Sequence, residues 1–364
     1  MSKIHIQLDE RGYDIRIGAG VMDRAGELIS SACKGKSAAI ITNRRVGQLY
    51  ADKLVKSLAQ AGISSRVVTV PTGERYKNLR TIAGVYEKLL DQKLDRGGII
   101  IGLGGGVVGD MAGFVAATYL RGVDFVQVPT SLLAQVDASV GGKTGVNLSR
   151  GKNLVGAFYQ PKLVLVDVSV LRTLPRREFR SGLAEVIKHG IIRDSEYFSF
   201  LEKNLQAIKR LEPGVLERTI IRSCEIKAEV VRQDERESSL RRILNFGHTV
   251  GHAVESLTAY RKYTHGEAVA IGMVTAALAS AFAKETSPRA TADRIISILK
   301  TAGLPYKLPA ELQPKDIVDA MALDKKVAHG KLHAVLVRAI GEAYGSDNVT
   351  PEIWLKAFKA QAGL

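Results

Sequence analysis

Apolar residues follow two different rhythms along this 364-residue chain. Up to about residue 170, short runs of branched residues alternate with longer amphipathic stretches. Ser37 to Thr42 (SAAIIT), Arg66 to Val70 (RVVTV), Ile99 to Leu103 (IIIGL), Phe125 to Val128 and Leu163 to Val168 (LVLVDV) read as strands. Continuous branched runs bounded by turn residues are the pattern of strands buried on both faces. Between them, Val46 to Ala61, Leu79 to Gln92 and Asp110 to Tyr119 carry helical periodicity, with Gly62 closing the first and Pro71 stopping the strand before the second. Tyr13 to Ile17 (YDIRI) alternates, as edge strands or a hairpin ahead of the main sheet would. This order predicts an α/β domain with a Rossmann-like parallel sheet.

After Leu174-Pro175 the rhythm changes. Glu178 to Arg193, Tyr197 to Leu211, Val215 to Glu235, Asn245 to Leu257, Gly266 to Ala283 and Ala290 to Gly303 are successive helical patterns with few strand signals among them. The expected organisation is an α/β domain over residues 1–170 and an all-α domain over residues 171–364, with no internal repeat or low-complexity tract.

Composition narrows the partners. The formal charge is +15, from 52 Lys and Arg against 37 Asp and Glu, which favours anionic ligands. The basic residues are spread along the chain without a helix-turn-helix, zinc-finger or RNP-type signature, so nucleic acid is not the expected partner. The apolar run Ala268 to Ala283 is shorter than the roughly 20 residues a membrane span needs and reads as a buried helix; no membrane partner is expected. The opening MSKIHIQLDE turns polar too early for a signal peptide. Cys33 and Cys224, far apart and outside any C-x-x-C pattern, suit a reducing, cytoplasmic setting.

Three stretches carry chemistry. In Gly97 to Asp110 (GGIIIGLGGGVVGD) a strand runs into Gly104, Gly105, Gly106 and Gly109, a G-x-G-x-x-G spacing in which glycines let backbone N–H groups approach a diphosphate. Such clusters also serve plain strand-to-helix turns, so this stretch does not decide alone. In Asn245 to Glu255 (NFGHTVGHAVE), His248 and His252 are four apart and share a helix face, and His265 follows. Histidine is the commonest metal ligand, and such a set with one carboxylate suits a zinc-type site with an open position; spacing leaves open which two histidines bind. In Gly182 to Gly190 (GLAEVIKHG), Glu185 and Lys188 are three apart among apolar neighbours, as a buried carboxylate waiting for a cation would be. Gly-Lys-Thr at 142–144 is not a P-loop, because Asp137 stands where the motif needs its first glycine. Lys143, Lys152 and Asn153 look instead like donors presented to an anion on glycine-flanked loops. Lys227 and Arg241 are further basic positions.

Together these stretches resemble the 3-dehydroquinate synthases over nearly the whole chain. The matching blocks are GERYKNL, GLGGGVVGDMAGFVAATYLRG, QVPTSLLAQVDASVGGKTGVN, GKNLVGAFYQP, LPRREFRSGLAEVIKHG, KAEVVRQDERE, LNFGHTVGHAVE and HGEAVAIGM. The resemblance implies the dehydroquinate synthase-like fold and conversion of 3-deoxy-D-arabino-heptulosonate 7-phosphate to 3-dehydroquinate and phosphate. It also implies tightly held NAD, one divalent metal (Zn²⁺ or Co²⁺) and a homodimer. NAD takes and returns one hydride at C5 within a turnover, so the reaction is redox-neutral.

Carried over by position, the resemblance makes Glu185, His248 and His265 the metal ligands, with His252 a pocket residue. Asp137, Lys143, Asn153, Lys188, Lys227, Arg241 and Asn245, with Lys152 and His252, hold the substrate. Arg121 reaches the phosphate from the partner subunit, and Lys325 or Lys326 closes over the site. Asn43, Glu74, Lys77, Gly104, Gly105, Gly106, Val107, Gly109, Asp110, Thr130 and Ser131, with Lys143 and Lys152, bind the dinucleotide. Gly12 and Ser239 stand where the family often has Ser and Gly, both expected to lie away from the site. A related sugar-phosphate cyclase, a metal-dependent alcohol dehydrogenase and a nucleic-acid binder are the competing readings.

Overall fold

The structure, a computed structural model, describes the backbone of residues 1–283, 289–326 and 333–364, and the side chains of the same residues except 323–326. The chain divides into two compact units, residues 1–174 with 216–232 and residues 175–215 with 233–364. The sequence pattern placed a single boundary at 170, which left residues 216–232 with the second domain. Helical periodicity shows that this stretch is a helix but not what it packs against.

The first unit runs β1 (Ser2–Ile6), β2 (Tyr13–Gly18), α1 (Ala25–Ala32), β3 (Ser37–Asn43), α2 (Arg44–Gln60), β4 (Ser64–Val70), α3 (Leu79–Asp91), β5 (Ile99–Gly104), α4 (Gly106–Thr118), β6 (Asp124–Pro129), β7 (Lys143–Leu148), β8 (Gly151–Phe158) and β9 (Leu163–Asp167). Seven strands form one sheet in the order β1-β2-β9-β6-β5-β3-β4. Only the β1–β2 pairing is antiparallel. Side chains of β5 alternate between two cores: Ile99, Ile101 and Leu103 pack with Ile29, Leu54 and Leu58, and Ile100 packs with Met111 and Val115. The connection after β3 leads outward to β4, whereas the one after β5 leads the opposite way to β6. The loops therefore diverge at the carboxyl ends of β3 and β5, the place where open α/β sheets bind ligands.

The segments carrying Lys143, Lys152 and Asn153, expected as glycine-flanked loops, form an antiparallel ribbon, β7 against β8. Its glycines are what allow the pairing. A Cβ on Gly145 would lie 2.7 Å from Val155 O, and one on Gly156 would lie 2.2 Å from Thr144 O.

The remaining elements are α5 (Arg176–Arg193), α6 (Ser195–Lys209), α7 (Pro213–Gln233), α8 (His248–Leu257), α9 (His265–Phe282), α10 (Arg289–Ala302), α11 (Pro314–Lys326), β10 (Ala334–Ala339), β11 (Glu342–Ser346) and α12 (Pro351–Ala362). Helix α9 is the apolar run of the sequence and is buried nearly all round, with Ile271, Met273, Val274 and Leu278 without exposure. The second unit is helical but not wholly so, since β10 and β11 pair as an antiparallel ribbon. A six-residue strand is too short for its periodicity to separate it from a buried helical segment.

Candidate active site

In the first unit the glycine turn lies at the carboxyl end of β5. Gly104 ends the strand, Gly105 caps α4 in an extended conformation (φ −76°, ψ −176°), and Gly106 and Val107 begin the helix. The glycines serve different purposes. A Cβ on Gly104 would press on the branched Val108 side chain at 2.7 Å, so packing requires glycine there, whereas one on Gly109 would meet only the end of the Gln127 side chain, Oε1 at 2.7 Å. A Cβ on Gly105 would meet nothing closer than Ser131 Oγ at 3.4 Å. The fold does not need glycine there, but a ligand approaching the backbone would. Thr130 N donates to Gly104 O (2.9 Å), and Ser131 Oγ is the atom nearest to the Cβ position of Gly105, so both stand beside the turn. Asn43, at the end of β3, caps α2 by accepting from Val46 N (3.0 Å).

A polar network flanks this turn. Lys77, 3% exposed, donates from Nζ to Asp110 Oδ2 and to Asn153 Oδ1, each 2.5 Å away. Asn153 N donates to Asn147 Oδ1 (2.9 Å), and Asn147 Nδ2 donates to Glu74 Oε1 (2.7 Å). Burial pushes the Asp110 carboxyl above its ordinary range, and the facing Lys77 opposes that rise. Asp137 lies on a single π-helical turn, Ala134–Ala138, a geometry often found at functional sites. Its Oδ1 accepts from Lys227 Nζ on α7 at 2.5 Å, and its carbonyl accepts from the same nitrogen. Lys143 opens β7 and Lys152 lies on β8, so both stand on the ribbon. Arg121 is exposed and left-handed (φ 69°), directly after left-handed Leu120 (φ 50°).

In the second unit glycines bring three helices close enough for their side chains to converge. A Cβ on Gly266 would overlap Ser181 O at 1.9 Å, and one on Gly272 would overlap Gly247 O at 2.0 Å. Helix α9 begins at a capping box, with Thr264 Oγ1 accepting from Glu267 N and Glu267 accepting from Thr264 N. Arg177 holds Glu267 with paired bonds of 2.9 and 2.7 Å. These contacts fix His265 as the first residue of α9.

The convergence point is Glu185 on α5, with no exposure. Its Oε1 lies 3.8 Å from His248 Nε2 and 3.7 Å from His265 Nε2. Lys188 Nζ contacts Oε2, but neither carboxylate oxygen has a directed hydrogen bond among the described residues. Glu185, His248 and His265 each offer a ligand atom, all within 4.8 Å of one another. His252, Glu255 and His265 form a second such set. In the first, Glu185 has no exposure and its Oε1 faces both imidazoles, whereas in the second His252 is exposed. A buried carboxylate facing two imidazole nitrogens fits a divalent cation, and three protein ligands leave the open position of a catalytic site.

Residues 67–181 match the family model described as 3-dehydroquinate synthase N-terminal, and residues 182–327 match 3-dehydroquinate synthase C-terminal. A protein of Desulforamulus reducens named 3-dehydroquinate synthase is 49% identical over 94% of this chain and 95% of its own length. The chain belongs to the 3-dehydroquinate synthase family. It is a lyase of this family, whose reaction is the shikimate-pathway step. Among solved structures, 2-epi-5-epi-valiolone synthase from Streptomyces hygroscopicus subsp. jinggangensis, with NAD⁺ and Zn²⁺ bound, matches at 28% identity and a TM-score of 0.89, covering 98% of both chains. A 2-deoxy-scyllo-inosose synthase complexed with carbaglucose-6-phosphate, NAD⁺ and Co²⁺ matches at 25% identity and a TM-score of 0.86, covering 99% of this chain and 100% of its own.

Three side chains that the sequence did not single out contact candidate site residues. Asn147 links Glu74 to the backbone of Asn153. Asp234, 6% exposed, accepts from Ser238 N (2.9 Å), Ser239 N (2.8 Å) and Arg241 N (2.9 Å), and so shapes the turn leading to Arg241. Burial alone would raise the Asp234 carboxyl, but these donors outweigh it and hold the carboxyl far below its usual range. Arg241 is 2% exposed and donates to Glu235 O, and Asn245 Nδ2 donates to Glu237 Oε1 (2.7 Å). Ser239, expected away from the site, stands in this turn two residues before Arg241; at φ −148° it does not need glycine. The third residue is Glu255, buried behind His265. None of the three carries a sequence signal, because each acts through a backbone or ring contact. Lys325 and Lys326 end α11, and their side chains lie outside the described residues.

Proposed function

We propose that the chain converts 3-deoxy-D-arabino-heptulosonate 7-phosphate to 3-dehydroquinate and phosphate with NAD and one divalent metal, as a cytoplasmic homodimer. The observation that carries this reading is the fully buried Glu185 carboxylate, whose Oε1 faces two imidazole Nε2 atoms, in a chain of this family. Glu185, His248 and His265 hold the metal. The Gly104–Asp110 turn, Asn43, Glu74, Lys77, Thr130 and Ser131 hold NAD. When bound, NAD supplies a temporary hydride acceptor, and the metal supplies a Lewis acid at the C5 oxygen.

The chain's own residues do the rest. Lys188, Lys227 and Arg241, with Lys143, Lys152, Asn153, Asn245 and His252, balance the charge of a substrate carrying a carboxylate and a phosphate. Fixed cations stabilise the departing phosphate without reorganisation at the moment of reaction. Asp137 orients Lys227, and Asp110 with Asn153 orients Lys77. No side chain is needed to remove the proton beside the oxidised carbon, since the substrate phosphate itself can accept it. The two left-handed residues Leu120 and Arg121 place one guanidinium outward at a cost of roughly 1–3 kcal/mol each. That suits an arginine reaching a partner subunit's substrate.

The test is removal and resupply of metal. Chelation of the purified protein should abolish phosphate release, and Zn²⁺ or Co²⁺ should restore it; turnover unchanged after verified metal removal would refute the metal reading.

A further inference from the structure

The two histidines that face Glu185 are held from behind by different acceptors. His248 Nδ1 lies 3.3 Å from Phe246 O, and His265 Nδ1 lies 3.5 Å from Glu255 Oε2. In both rings Nδ1 is turned to an acceptor and Nε2 to Glu185 Oε1. An imidazole that keeps its proton on Nδ1 presents the Nε2 lone pair outward, the tautomer a metal needs.

The acceptors differ in charge. Phe246 offers a neutral carbonyl, whereas Glu255 offers a carboxylate that is 4% exposed. Helix α8 thus carries His248 and, two turns on, a buried acid aimed at a residue of α9. A carboxylate behind a metal-bound imidazole keeps the proton on Nδ1 and raises the basicity of Nε2.

We propose that Glu255 is a positioning residue for metal binding. It fixes the orientation and tautomer of His265 through Nδ1, and its charge makes Nε2 the stronger donor of the two histidines. The inference rests on the reading of Glu185, His248 and His265 as ligands.

The experiment measures Zn²⁺ affinity by chelator competition on the full-length chain, and the visible spectrum of the Co²⁺-loaded form. The chains compared are the unsubstituted one, Glu255→Gln, Glu255→Asp and, as ligand controls, Glu185→Gln and His248→Ala. Glu255→Gln keeps the shape and loses the charge. It should bind Zn²⁺ about 10- to 100-fold more weakly, the usual cost of losing such an outer partner, with an altered Co²⁺ spectrum and unchanged NAD affinity. Glu255→Asp should recover part of the loss. Unchanged affinity and spectrum in a folded Glu255→Gln, with metal lost in the controls, would overturn the role of Glu255 alone. Unchanged affinity in the controls as well would overturn the ligand reading beneath it.

Discussion

Lys188 lies one helical turn beyond Glu185 on α5, and its Nζ contacts Glu185 Oε2, with the two side chains 1% and 0% exposed. Desolvation of both charges offsets most of the attraction in such a pair, so it is a weak stabiliser. The contact is a charge pairing rather than a directed hydrogen bond. A cation taking up the Glu185 carboxylate would leave the lysine to an anionic substrate.

Lys188→Ala should therefore have two separable effects. Phosphate release should fall by about 10²- to 10³-fold, as for loss of one group that stabilises developing charge. The metal-free protein should lose about 3–5 kcal/mol of stability because Glu185 is left uncompensated, and added Zn²⁺ should return most of it. Rates with saturating metal, and melting with and without metal, measure the two. A near-native rate would remove Lys188 from the site.

The glycine turn separates packing from binding. Gly105→Ala should melt as the parent does, because its Cβ has room beside Ser131, yet bind NAD about tenfold or more weakly through loss of close backbone contacts. Gly104→Ala should lose roughly 1–3 kcal/mol of stability against Val108. Calorimetry for NAD and thermal melting read these out, and unaltered NAD affinity in Gly105→Ala would move the diphosphate elsewhere.

Asp234 predicts a pH dependence. Its folded carboxyl titrates below its unfolded value, so its contribution is fully present above the ordinary carboxylate range and is lost as pH falls through and below that range. Asp234→Asn should be less stable at neutral pH, and the gap should close as pH is lowered. Because the same turn carries Arg241, the substitution should also raise KM for substrate more than it lowers kcat. A gap that is constant with pH would contradict this account.

Arg121 predicts complementation between subunits. Arg121→Ala and Lys188→Ala, each nearly inactive, should regain part of the activity when co-assembled, since an assembled pair can hold one site with neither substitution. No recovery from verified hybrids would place Arg121 in its own subunit's site or outside catalysis.

Much of this was legible in the chain. The β5 strand and its glycines stand out because a branched run meeting residues without Cβ has few other readings, and α9 is apolar enough to be a buried helix on sight. The β7–β8 ribbon was not legible, because Gly145 and Gly156 look like loop residues until their strands pair. Helix α7 was legible as a helix, but not as a member of the first unit. Spacing put His248 and His252 on one face and left open which of them binds; that His248 Nε2 lies 3.8 Å from Glu185 Oε1 is visible only in the folded chain. Asp234 and Glu255 were invisible, since their partners are backbone amides and a ring nitrogen that only the folded chain brings near.

On the proposed reading, NAD is reduced and reoxidised within each turnover. The direct measurement is to supply the heptulosonate phosphate with catalytic NAD and Zn²⁺, following free phosphate and NADH absorbance together. Phosphate released in large excess over NAD, with no accumulation of NADH, is the predicted result; NADH formed in proportion to turnover, or no phosphate released, would contradict it.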